Sequence, residues 1–204
     1  MTDQLLKSCE VSRETLDRLQ IFVDLTLKWT KAINLIAPST SEQIWTRHIK
    51  DSAQLFEIAP GNWNTWTDLG SGGGFPGLVI AILSDPSRTV TLIESDKRKC
   101  QFLNTVRREL DLNVNVREGR IEDVDVAPAD VLSARALSGL PNLLHHADRF
   151  LDQSGIALFP KGQNYQSELN EATKDWEFNE VLHTSRTHSA GRILEISGIK
   201  RRER

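Results

Sequence analysis

The sequence predicts an α/β fold in which an open, largely parallel sheet carries helices on both faces. Three observations support this class. Short apolar strand patterns alternate with longer helical patterns along most of the chain. A glycine-rich loop at 70–77 follows one strand pattern and precedes an apolar helical run at 78–83. The next strand pattern ends in an acid, Glu94, and this combination is typical of a Rossmann-like nucleotide site.

The composition indicates one globular unit without a membrane span. The chain has 204 residues, of which 39% are hydrophobic, enough for one large domain or for a domain with a small cap. No apolar run approaches the ~20 residues that a membrane-spanning helix needs. Residues 1–10 lack a signal-peptide core, so we expect a cytoplasmic protein. Cys9 and Cys100 lie far apart without a metal-binding spacing, which indicates ordinary thiols.

Charge is distributed unevenly along the chain. The net charge of −3 does not by itself indicate nucleic-acid binding. Residues 181–204, however, hold six Lys or Arg and two Asp or Glu, a local balance of +4. This basic segment predicts a local contact with an anionic partner, although a solvated tail is the better explanation of the terminal run 200–204 alone.

The first 60 residues are predicted to form an N-terminal helical cap that packs on the core. Residues 11–30 repeat apolar side chains at helical spacing, and Ser12 can cap this helix. A second helical region opens with the capping-box pattern of Ser39 and Glu42. Charged and polar residues crowd its middle, where such a cap can meet a substrate: Arg47, His48, Lys50 and Asp51.

Residues 61–204 are predicted to form the core, as one compact unit with the cap. The strand patterns lie at 63–67, 89–93, 113–117, 129–133, 155–159, 178–183 and 192–197. After the run at 78–83, helical patterns lie at 97–110, 140–150 and 165–176. Ser95 is the predicted cap of the first of these, and Pro141 lies in the first turn of the second. The last strand pattern alternates apolar and polar residues, which suits an edge or antiparallel strand.

The glycine loop is compatible with two ligands. Gly72, Gly74 and Gly77 match G-x-G-x-x-G, the pattern of dinucleotide sites. Asp68, Gly70, Gly72 and Gly74 match D-x-G-x-G-x-G, the pattern of S-adenosylmethionine sites. A carboxylate beside the loop would repel a pyrophosphate but tolerates an ammonium and a sulfonium, so Asp68 favours the methyl donor. A dinucleotide remains the alternative.

Two positions are expected to hold the adenosine part of either ligand. Glu94 can accept hydrogen bonds from both ribose hydroxyls. The loop after the third strand contains Glu122, whose side chain or neighbouring amide can read the adenine edge. Because both ligands contain adenosine, these residues support the fold more than the choice of ligand.

The sequence shows no signature of a general base or of a catalytic metal. It lacks H-E-x-x-H, G-x-S-x-G and paired-cysteine motifs. The fourth strand ends in Ser133-Ala134-Arg135-Ala136, without the Asn/Asp-Pro-Pro-Tyr/Phe segment of enzymes that methylate exocyclic amines. A nucleophile with a free lone pair, such as N7 of guanine, needs no general base. We therefore expect no catalytic side chain and no metal, and catalysis by positioning.

Several blocks of the chain resemble the glucose-inhibited division protein B family, bacterial methyltransferases that make 7-methylguanosine in small-subunit ribosomal RNA. The blocks lie at 28–35, 47–52, 68–77, 133–136 and 159–162, and the Arg-His-Ile and Gly-Phe-Pro-Gly blocks are the most selective. The resemblance implies a Rossmann-like class I methyltransferase sheet with an N-terminal helical cap. It also implies S-adenosylmethionine as cofactor and N7 of a guanine in 16S ribosomal RNA as acceptor.

The resemblance further implies cofactor contacts at the matching positions Gly70, Phe75, Ile121, Glu122 and Arg135. The glycine motif adds Gly72 to these predicted cofactor contacts, and the strand pattern adds Glu94. The family often has Ala where Ile121 stands, a change that a main-chain contact would survive.

Four residues, treated as cations, are candidate contacts for the ribosomal RNA. The resemblance implies this role for Arg47, His48 and Lys161, whereas the role of Arg192 is inferred from the local positive charge. Arg135 can hold either a cofactor carboxylate or a phosphate, so its ligand stays open.

The expected partner is 16S ribosomal RNA within the small subunit or an assembly intermediate, bound by a monomer that contacts no membrane. The sequence does not identify the guanine, and naked RNA and the subunit remain alternative substrates. Two other functions stay open: a methyltransferase of the same fold with another acceptor, and a non-catalytic ribosome-assembly factor that binds RNA.

Overall fold

The computed structural model describes residues 11–203, and in this part of the chain seven strands form one sheet. The strands are β1 (Thr65–Leu69), β2 (Thr89–Glu94), β3 (Val114–Glu118), β4 (Ala129–Ala134), β5 (Leu151–Lys161), β6 (Trp176–Thr184) and β7 (Arg192–Arg201). Their order is β3-β2-β1-β4-β5-β7-β6. Strands β1 to β5 are parallel, and β7 lies antiparallel between β5 and β6. The predicted α/β sheet is confirmed.

Helices cover both faces of this sheet. They are α1 (Arg13–Thr30), α2 (Lys50–Ile58), α3 (Gly77–Leu83), α4 (Lys97–Glu109), α5 (Leu140–Phe150) and α6 (Tyr165–Ala172). A 3₁₀ turn at Pro38–Gln43 and a π-helical turn at Trp45–Ile49 lead into α2. None of the helices described between residues 11 and 203 has the length and hydropathy of a membrane-spanning helix.

Each face of the sheet packs on its own hydrophobic core. On one face, α1 to α4 pack against strand residues such as Trp66 and Val131. On the other face, α5 and α6 pack against strand residues such as Leu132 and Leu194. The neighbours Val131 and Leu132 belong to different cores because successive side chains of a strand point to opposite faces. Burial of apolar side chains on both faces stabilises the parallel sheet.

Helix α1 is joined to the core by aromatic contacts. The hydroxyl of Ser12 accepts a hydrogen bond from the N–H of Thr15 and caps the helix, as predicted. The buried ring of Phe22 has its centroid 4.9 Å from that of Phe75 and 6.4 Å from that of Phe102. The helix therefore covers the side of the sheet that carries the glycine loop. The division of the chain at residue 60 stays a prediction.

The second helical region begins differently from the prediction. Its 3₁₀ turn is preceded by Ala37, and Ser39 makes no capping-box hydrogen bond. The hydroxyl of Thr40 donates instead to the carbonyl of Ala37 (2.8 Å). A 3₁₀ turn winds more tightly than an α-helix, so the spacing that a capping box needs is not present there.

Other features of the core also differ from the prediction. Asp96, and not Ser95, caps α4, since its carboxylate accepts hydrogen bonds from two main-chain N–H groups of the first turn (2.8 and 3.3 Å). Helix α6 ends at Ala172, and Trp176 begins β6 because this segment pairs with β7. Strand β7 is antiparallel, as one of the two alternatives predicted, but it lies inside the sheet.

Some expectations concern the ends of the chain. Residues 1–10 and Arg204 lie outside the described residues. The predictions on Cys9 and on the absence of a signal peptide concern this N-terminal stretch. The other cysteine, Cys100, is a buried free thiol whose Sγ lies 3.2 Å from the carbonyl oxygen of Glu94. Burial raises the pKa of Cys100 to about 11, so it stays a thiol at neutral pH.

Candidate functional site

Two cavities open at the carboxyl ends of the parallel strands. We call the first the glycine-loop cavity; it has a volume of about 360 Å³, and its lining includes Gly70, Gly72, Glu94, Ile121 and Glu122. We call the second the basic cleft; it has a volume of about 340 Å³, and its lining includes Arg47, His48, Arg135, Lys161 and Arg192. Because β1 pairs in parallel with both β2 and β4, the carboxyl ends of these strands bring the glycine loop, Glu94 and Arg135 to one edge of the sheet.

The glycine loop turns with a left-handed backbone. Gly70, Gly72 and Gly74 have φ angles of +64°, +56° and +83°, a region that residues with a Cβ rarely adopt. A Cβ on Gly73 would lie 2.9 Å from the carbonyl oxygen of Leu35, so the chain after α1 packs directly on the loop. The nearest atom to a Cβ on Gly72 would be 3.8 Å away. At Gly72 the loop therefore opens onto the cavity.

Glu94 is held in place by main-chain donors. Its Oε2 accepts a hydrogen bond from the N–H of Gly72 (2.7 Å), and its Oε1 accepts one from the N–H of Asp96 (2.8 Å). An ionised carboxylate can accept about four hydrogen bonds. Two acceptor positions are therefore left for hydroxyl groups of a ligand, and the predicted ribose contact has the geometry that it needs.

Asp68 lies beneath the glycine loop and lines neither cavity. Its buried carboxylate accepts hydrogen bonds from the hydroxyl of Ser133 (2.7 Å) and from the N–H of Gly77 at the start of α3 (3.2 Å). Ser133 in turn accepts one from the indole N–H of Trp66 (2.8 Å). Burial raises the pKa of Asp68 to about 6, although its hydrogen bonds oppose this shift. The prediction that this carboxylate lies beside the ligand is not met, because Asp68 joins β1, β4 and α3 beneath the loop.

The turn that carries Ile121 and Glu122 is held by Arg149, a residue that the sequence analysis missed. Nη1 of Arg149 donates to the carbonyls of Ile121 (3.3 Å) and Glu122 (2.8 Å), and Nη2 donates to the carbonyl of Val124. The guanidinium is planar, so it fixes the three carbonyls relative to one another. A single basic residue in the last turn of a helix carries no sequence signal for this role.

Phe75 packs into the core beside the loop. Its side chain is 4% exposed, and the ring centroid of His48 lies 5.0 Å from its own. The ring lines neither the glycine-loop cavity nor the basic cleft. The cofactor contact that the resemblance implies for Phe75 stays a prediction.

Arg135 lies in the basic cleft, between the N-terminal helical region and the end of β4. Its Nη2 donates to Nδ1 of His48 (3.1 Å), and its Nη1 donates to the carbonyl of Arg47 (3.4 Å). Nη1 also lies 3.6 Å from Oδ2 of Asp51, and the guanidinium lies 5.5 Å from the centroid of the Phe75 ring. Burial lowers the pKa of Arg135, and nearby carboxylates oppose this shift. Arg135 does not line the glycine-loop cavity, so its predicted cofactor contact stays a prediction.

His48 is a neutral ring of defined tautomer. Arg135 can only donate, so Nδ1 of His48 accepts and the proton lies on Nε2, which donates to Oγ1 of Thr40 (2.9 Å). Burial lowers the pKa of His48 to about 4, and the charges of Arg135 and Arg47 add to this shift. The prediction that His48 is a cation is wrong near neutral pH, because the ring is desolvated beside a guanidinium. Its contact with RNA stays a prediction.

Lys161 connects the basic cleft to α6. Its ammonium donates to the carbonyl of Ser138 (2.8 Å) and to Oε2 of Glu168 (2.7 Å), and its side chain is 9% exposed. Glu168 also accepts a hydrogen bond from the N–H of Leu140 at the start of α5 (2.8 Å). Two of the three ammonium donors are therefore used within the protein, which leaves one for a substrate.

The two remaining candidate RNA contacts, Arg47 and Arg192, belong to two different elements that line the basic cleft. Arg47 is exposed and belongs to the π-helical turn. Arg192 begins β7, and its guanidinium lies 5.6 Å from the centroid of the Tyr165 ring. Their roles toward RNA stay predictions.

The loop between β6 and β7 closes one side of the basic cleft, and the sequence analysis did not predict this. The hydroxyl of Thr187 donates to Asp51, the N–H of Arg186 donates to Oε1 of Gln54 (2.6 Å), and the side chain of Arg186 pairs with Glu57. These three partners recur every third residue along α2. That polar helical stripe was the available sequence signal. The cleft is therefore built by the predicted cap and by the core together.

A segment after β4 borders both cavities. Leu137 lines the glycine-loop cavity, whereas Arg135 and Ala136 line the basic cleft. Ala136 has a φ angle of +51°, an unusual value for a residue with a Cβ. A third cavity of about 450 Å³ is lined by residues 135–139 and by Lys161. The two main cavities are therefore neighbours across this one short segment.

Two titratable side chains at or below the site are engaged in hydrogen bonds within the protein. Both ring nitrogens of His48 are hydrogen-bonded, and the carboxylate of Asp68 is buried below the loop. Within residues 11–203, no three His, Cys, Asp or Glu side chains lie close enough to hold a metal ion. The site can bind an adenosine-containing ligand on one side and an anionic ligand on the other.

Solved structures of other proteins share the fold. An O-methyltransferase from Bacillus cereus in complex with SAH superposes with a TM-score of 0.59 and 12% identity, over 96% of both chains. Fibrillarin from Aeropyrum pernix, with natively bound S-adenosyl-L-methionine, superposes with a TM-score of 0.58 and 18% identity, over 74% of this chain and 75% of its own. The predicted Rossmann-like methyltransferase fold is confirmed.

Sequence comparison identifies the family. The family model GidB, described as rRNA small subunit methyltransferase G, matches residues 15–196. The ribosomal RNA small subunit methyltransferase G of Jannaschia sp. is 50% identical over 194 residues, which cover 94% of this chain and 92% of that protein. The protein of the same name from Gluconobacter oxydans is 48% identical over 191 residues, 94% of this chain and 97% of its own. The resemblance noted in the sequence is thus confirmed, and the chain belongs to the GidB family of rRNA small subunit methyltransferase G proteins.

Proposed function

We propose that this protein transfers a methyl group from S-adenosylmethionine to N7 of a guanine in 16S ribosomal RNA. The observation that carries the proposal is the pair of neighbouring cavities in a chain of this family. The glycine-loop cavity suits an adenosine-containing cofactor, and the basic cleft beside it suits a polyanion.

The residues of the glycine-loop cavity fit S-adenosylmethionine. Gly72 leaves open space, Glu94 keeps acceptor positions for ribose hydroxyls, and the turn at Ile121 and Glu122 is held rigid by Arg149. When bound, this cofactor supplies a methyl group on a positively charged sulfur that is ready for displacement. The family and the fold favour this cofactor over the dinucleotide that the glycine pattern alone left open.

The acceptor chemistry needs no proton acceptor from the protein. Transfer to N7 would use the lone pair of that nitrogen for the new bond to the methyl carbon, and the electron pair of the broken carbon–sulfur bond would stay on sulfur. No proton leaves the base, which becomes cationic. This agrees with a site whose imidazole is fully hydrogen-bonded and whose other groups hold and orient.

The basic cleft is the proposed binding site for the RNA. Arg47, Lys161 and Arg192 bring positive charge from three different elements to a chain of net charge −3. A local basic surface on an otherwise acidic chain suits a structured RNA–protein particle better than free RNA. We accordingly propose that a monomer acts in the cytoplasm on the small subunit or on an assembly intermediate.

The test is methyl transfer from labelled S-adenosylmethionine to small ribosomal subunits that lack the modification, with the labelled base mapped. Label at N7 of one guanine supports cofactor, substrate class and chemistry together. Absence of label on subunits and on free ribosomal RNA, with the cofactor bound, would overturn the proposed acceptor. A protein that binds ribosomal RNA without any transfer would instead be a non-catalytic assembly factor.

A further inference from the structure

We propose that Asp51 recognises the Watson–Crick edge of the target guanine and thereby makes the basic cleft selective for this base. The inference rests on the proposed function and names the side chain that selects the acceptor. Three observations carry it: the place of Asp51 among the lining residues, its partial saturation with hydrogen bonds, and its exposure to the cleft.

The position of the reacting atom decides which edge of guanine a protein can hold. N7 lies on the Hoogsteen edge next to O6. An arginine that grips O6 and N7, a frequent contact in DNA recognition, would occupy the lone pair that must react. Recognition is therefore left to the Watson–Crick edge, which proteins commonly read in unstacked RNA bases. On that edge only guanine, among the four RNA bases, presents two adjacent donors, N1–H and N2–H.

Two adjacent donors match a carboxylate, which accepts through two oxygens. Among the described residues that line the basic cleft, Asp51 is the only Asp or Glu. The cationic lining residues can only donate: Arg47, Arg135, Lys161 and Arg192. One carboxylate among cations suits a ligand that carries both phosphates and a pair of N–H groups.

The carboxylate of Asp51 is oriented but not saturated. Its Oδ1 accepts hydrogen bonds from the hydroxyl of Thr187 and from the amide of Gln54 (3.4 Å). Its Oδ2 lies 3.6 Å from Nη1 of Arg135, which is longer than a direct hydrogen bond. The side chain is 20% exposed. The group is therefore partly desolvated, fixed in direction and still accessible from the cleft.

A purely structural role for Asp51 predicts a different result. If the carboxylate only balances Arg135 and anchors Thr187, its loss affects every acceptor base equally. If it holds N1–H and N2–H, its loss affects guanosine more than inosine, which lacks the 2-amino group. A comparison of the two nucleosides therefore separates the two roles.

The experiment uses the full-length protein and small subunits reconstituted with either guanosine or inosine at the modified position. The 7-methyl product is quantified by mass spectrometry of nucleosides. We expect the wild-type protein to favour guanosine by about 10-fold or more in kcat/KM, because inosine cannot donate the second hydrogen bond to a charged acceptor. In Asp51→Asn we expect activity on inosine to fall as well, because N1–H loses its charged acceptor, and activity on guanosine to fall by more than 10-fold, so that the guanosine-to-inosine ratio drops to about 1.

Glu57→Gln is the matched control. Glu57 is a carboxylate of the same helix and pairs with Arg186 of the same loop, yet it does not line the basic cleft. We expect this variant to keep the wild-type ratio. Affinity for S-adenosylhomocysteine and the midpoint of thermal unfolding, measured for both variants, show whether the cofactor site and the fold persist.

The outcomes distinguish the inference from the proposed function. A wild-type protein that methylates both nucleosides equally, or an Asp51→Asn variant that keeps the wild-type ratio, would overturn the inference and leave the function standing. No transfer to guanosine subunits by the wild-type protein would overturn both. If Asp51→Asn does not fold, the guanosine-to-inosine ratio is measured with Asp51→Ala instead.

Discussion

Arg135 donates through Nη2 to Nδ1 of His48 over 3.1 Å, although the two residues lie 87 positions apart in the sequence. This hydrogen bond joins the end of β4 to the helical region ahead of α2. Because a guanidinium only donates, the contact also determines that Nδ1 of His48 carries no proton. One long-range contact thus orients the cation of the cleft and fixes the tautomer of the imidazole.

Arg135→Ala is expected to remove most methyl transfer and to leave the fold intact. The side chain contacts Asp51 and His48 in the cleft but belongs to neither hydrophobic core. If Arg135 positions a reactant, as proposed, its loss should lower kcat/KM by about 100-fold. Initial rates with labelled cofactor and thermal unfolding would test this, and unchanged turnover would exclude Arg135 from the site.

A suitable control for Arg135→Ala lies at the other edge of the sheet. Arg88 precedes β2, and its guanidinium lies 4.5 Å from the centroid of the Trp63 ring. Since the cavities lie at the carboxyl ends of the strands, Arg88→Ala should keep wild-type activity.

Gly72→Arg is expected to abolish cofactor binding and methyl transfer. A side chain at a φ angle of +56° is strained by roughly 1–2 kcal/mol, and it would project into the glycine-loop cavity. Calorimetric titration with S-adenosylhomocysteine measures the loss directly. Gly61→Ala is the control, because a Cβ there meets no described atom within 4 Å. Undiminished affinity in Gly72→Arg would contradict the placement of the cofactor.

Arg149→Met is expected to weaken cofactor binding without affecting the RNA side. The variant removes the donors that hold the carbonyls of Ile121 and Glu122. We expect the Kd for S-adenosylhomocysteine to rise by about 10-fold, as for the loss of charged hydrogen bonds. The KM for the subunit and kcat at saturating cofactor should stay near wild type.

Partial rescue separates this positioning role from a general loss of stability. Arg149→Lys keeps a positive donor and should recover part of the affinity, although a lysine cannot reach three carbonyls in one plane. Arg108→Ala is a neutral comparison, since among residues 11–203 the side chain of Arg108 donates within α4, to the carbonyl of Asn104. A rise in the KM for RNA that equals the rise in Kd would argue against the assigned role.

The pH dependence of stability should carry a contribution from His48. Its pKa falls from 6.5 in the unfolded chain to about 4 in the folded protein. Folding therefore releases a proton wherever the unfolded ring is charged, and the free energy of unfolding falls as the pH drops from about 6.5 to about 4. The contribution amounts to up to about 3 kcal/mol.

His48→Gln isolates this contribution. A glutamine can accept from Arg135 and donate to Thr40 as the neutral imidazole does, but it does not titrate. Urea unfolding at several pH values should show that the stability of wild type relative to His48→Gln decreases on acidification through this window. A constant difference would mean that His48 is not desolvated as described.

Asp68 is expected to act in the opposite direction. Burial raises its pKa from 3.8 to about 6, so the folded protein binds a proton more tightly than the unfolded chain. The resulting stabilisation is present below about pH 4 and is lost as the pH rises through about 6. The free energy of unfolding of Asp68→Asn, measured across this pH range, should not show that decrease. An identical pH slope in variant and wild type would contradict the buried state of Asp68.

Much of the fold was open to prediction from local patterns. The strands and helices of the core, the Ser12 cap and the glycine loop each depend on neighbours a few residues away. The predicted boundaries were wrong where pairing with a distant strand determined the element. Trp176 belongs to β6 because it pairs with β7, although its own segment continues a helical pattern.

The site divides in the same way. The family and the cofactor motif follow from local patterns, because motif spacing is a local property of the chain. Three features depend on the tertiary structure: the neutral ring of His48, the contact of Arg149 with the turn at Ile121 and Glu122, and the place of the Asp51 carboxylate in the basic cleft. Charge state and cavity lining depend on desolvation and on donors supplied by remote segments, and these exist only after the chain has folded.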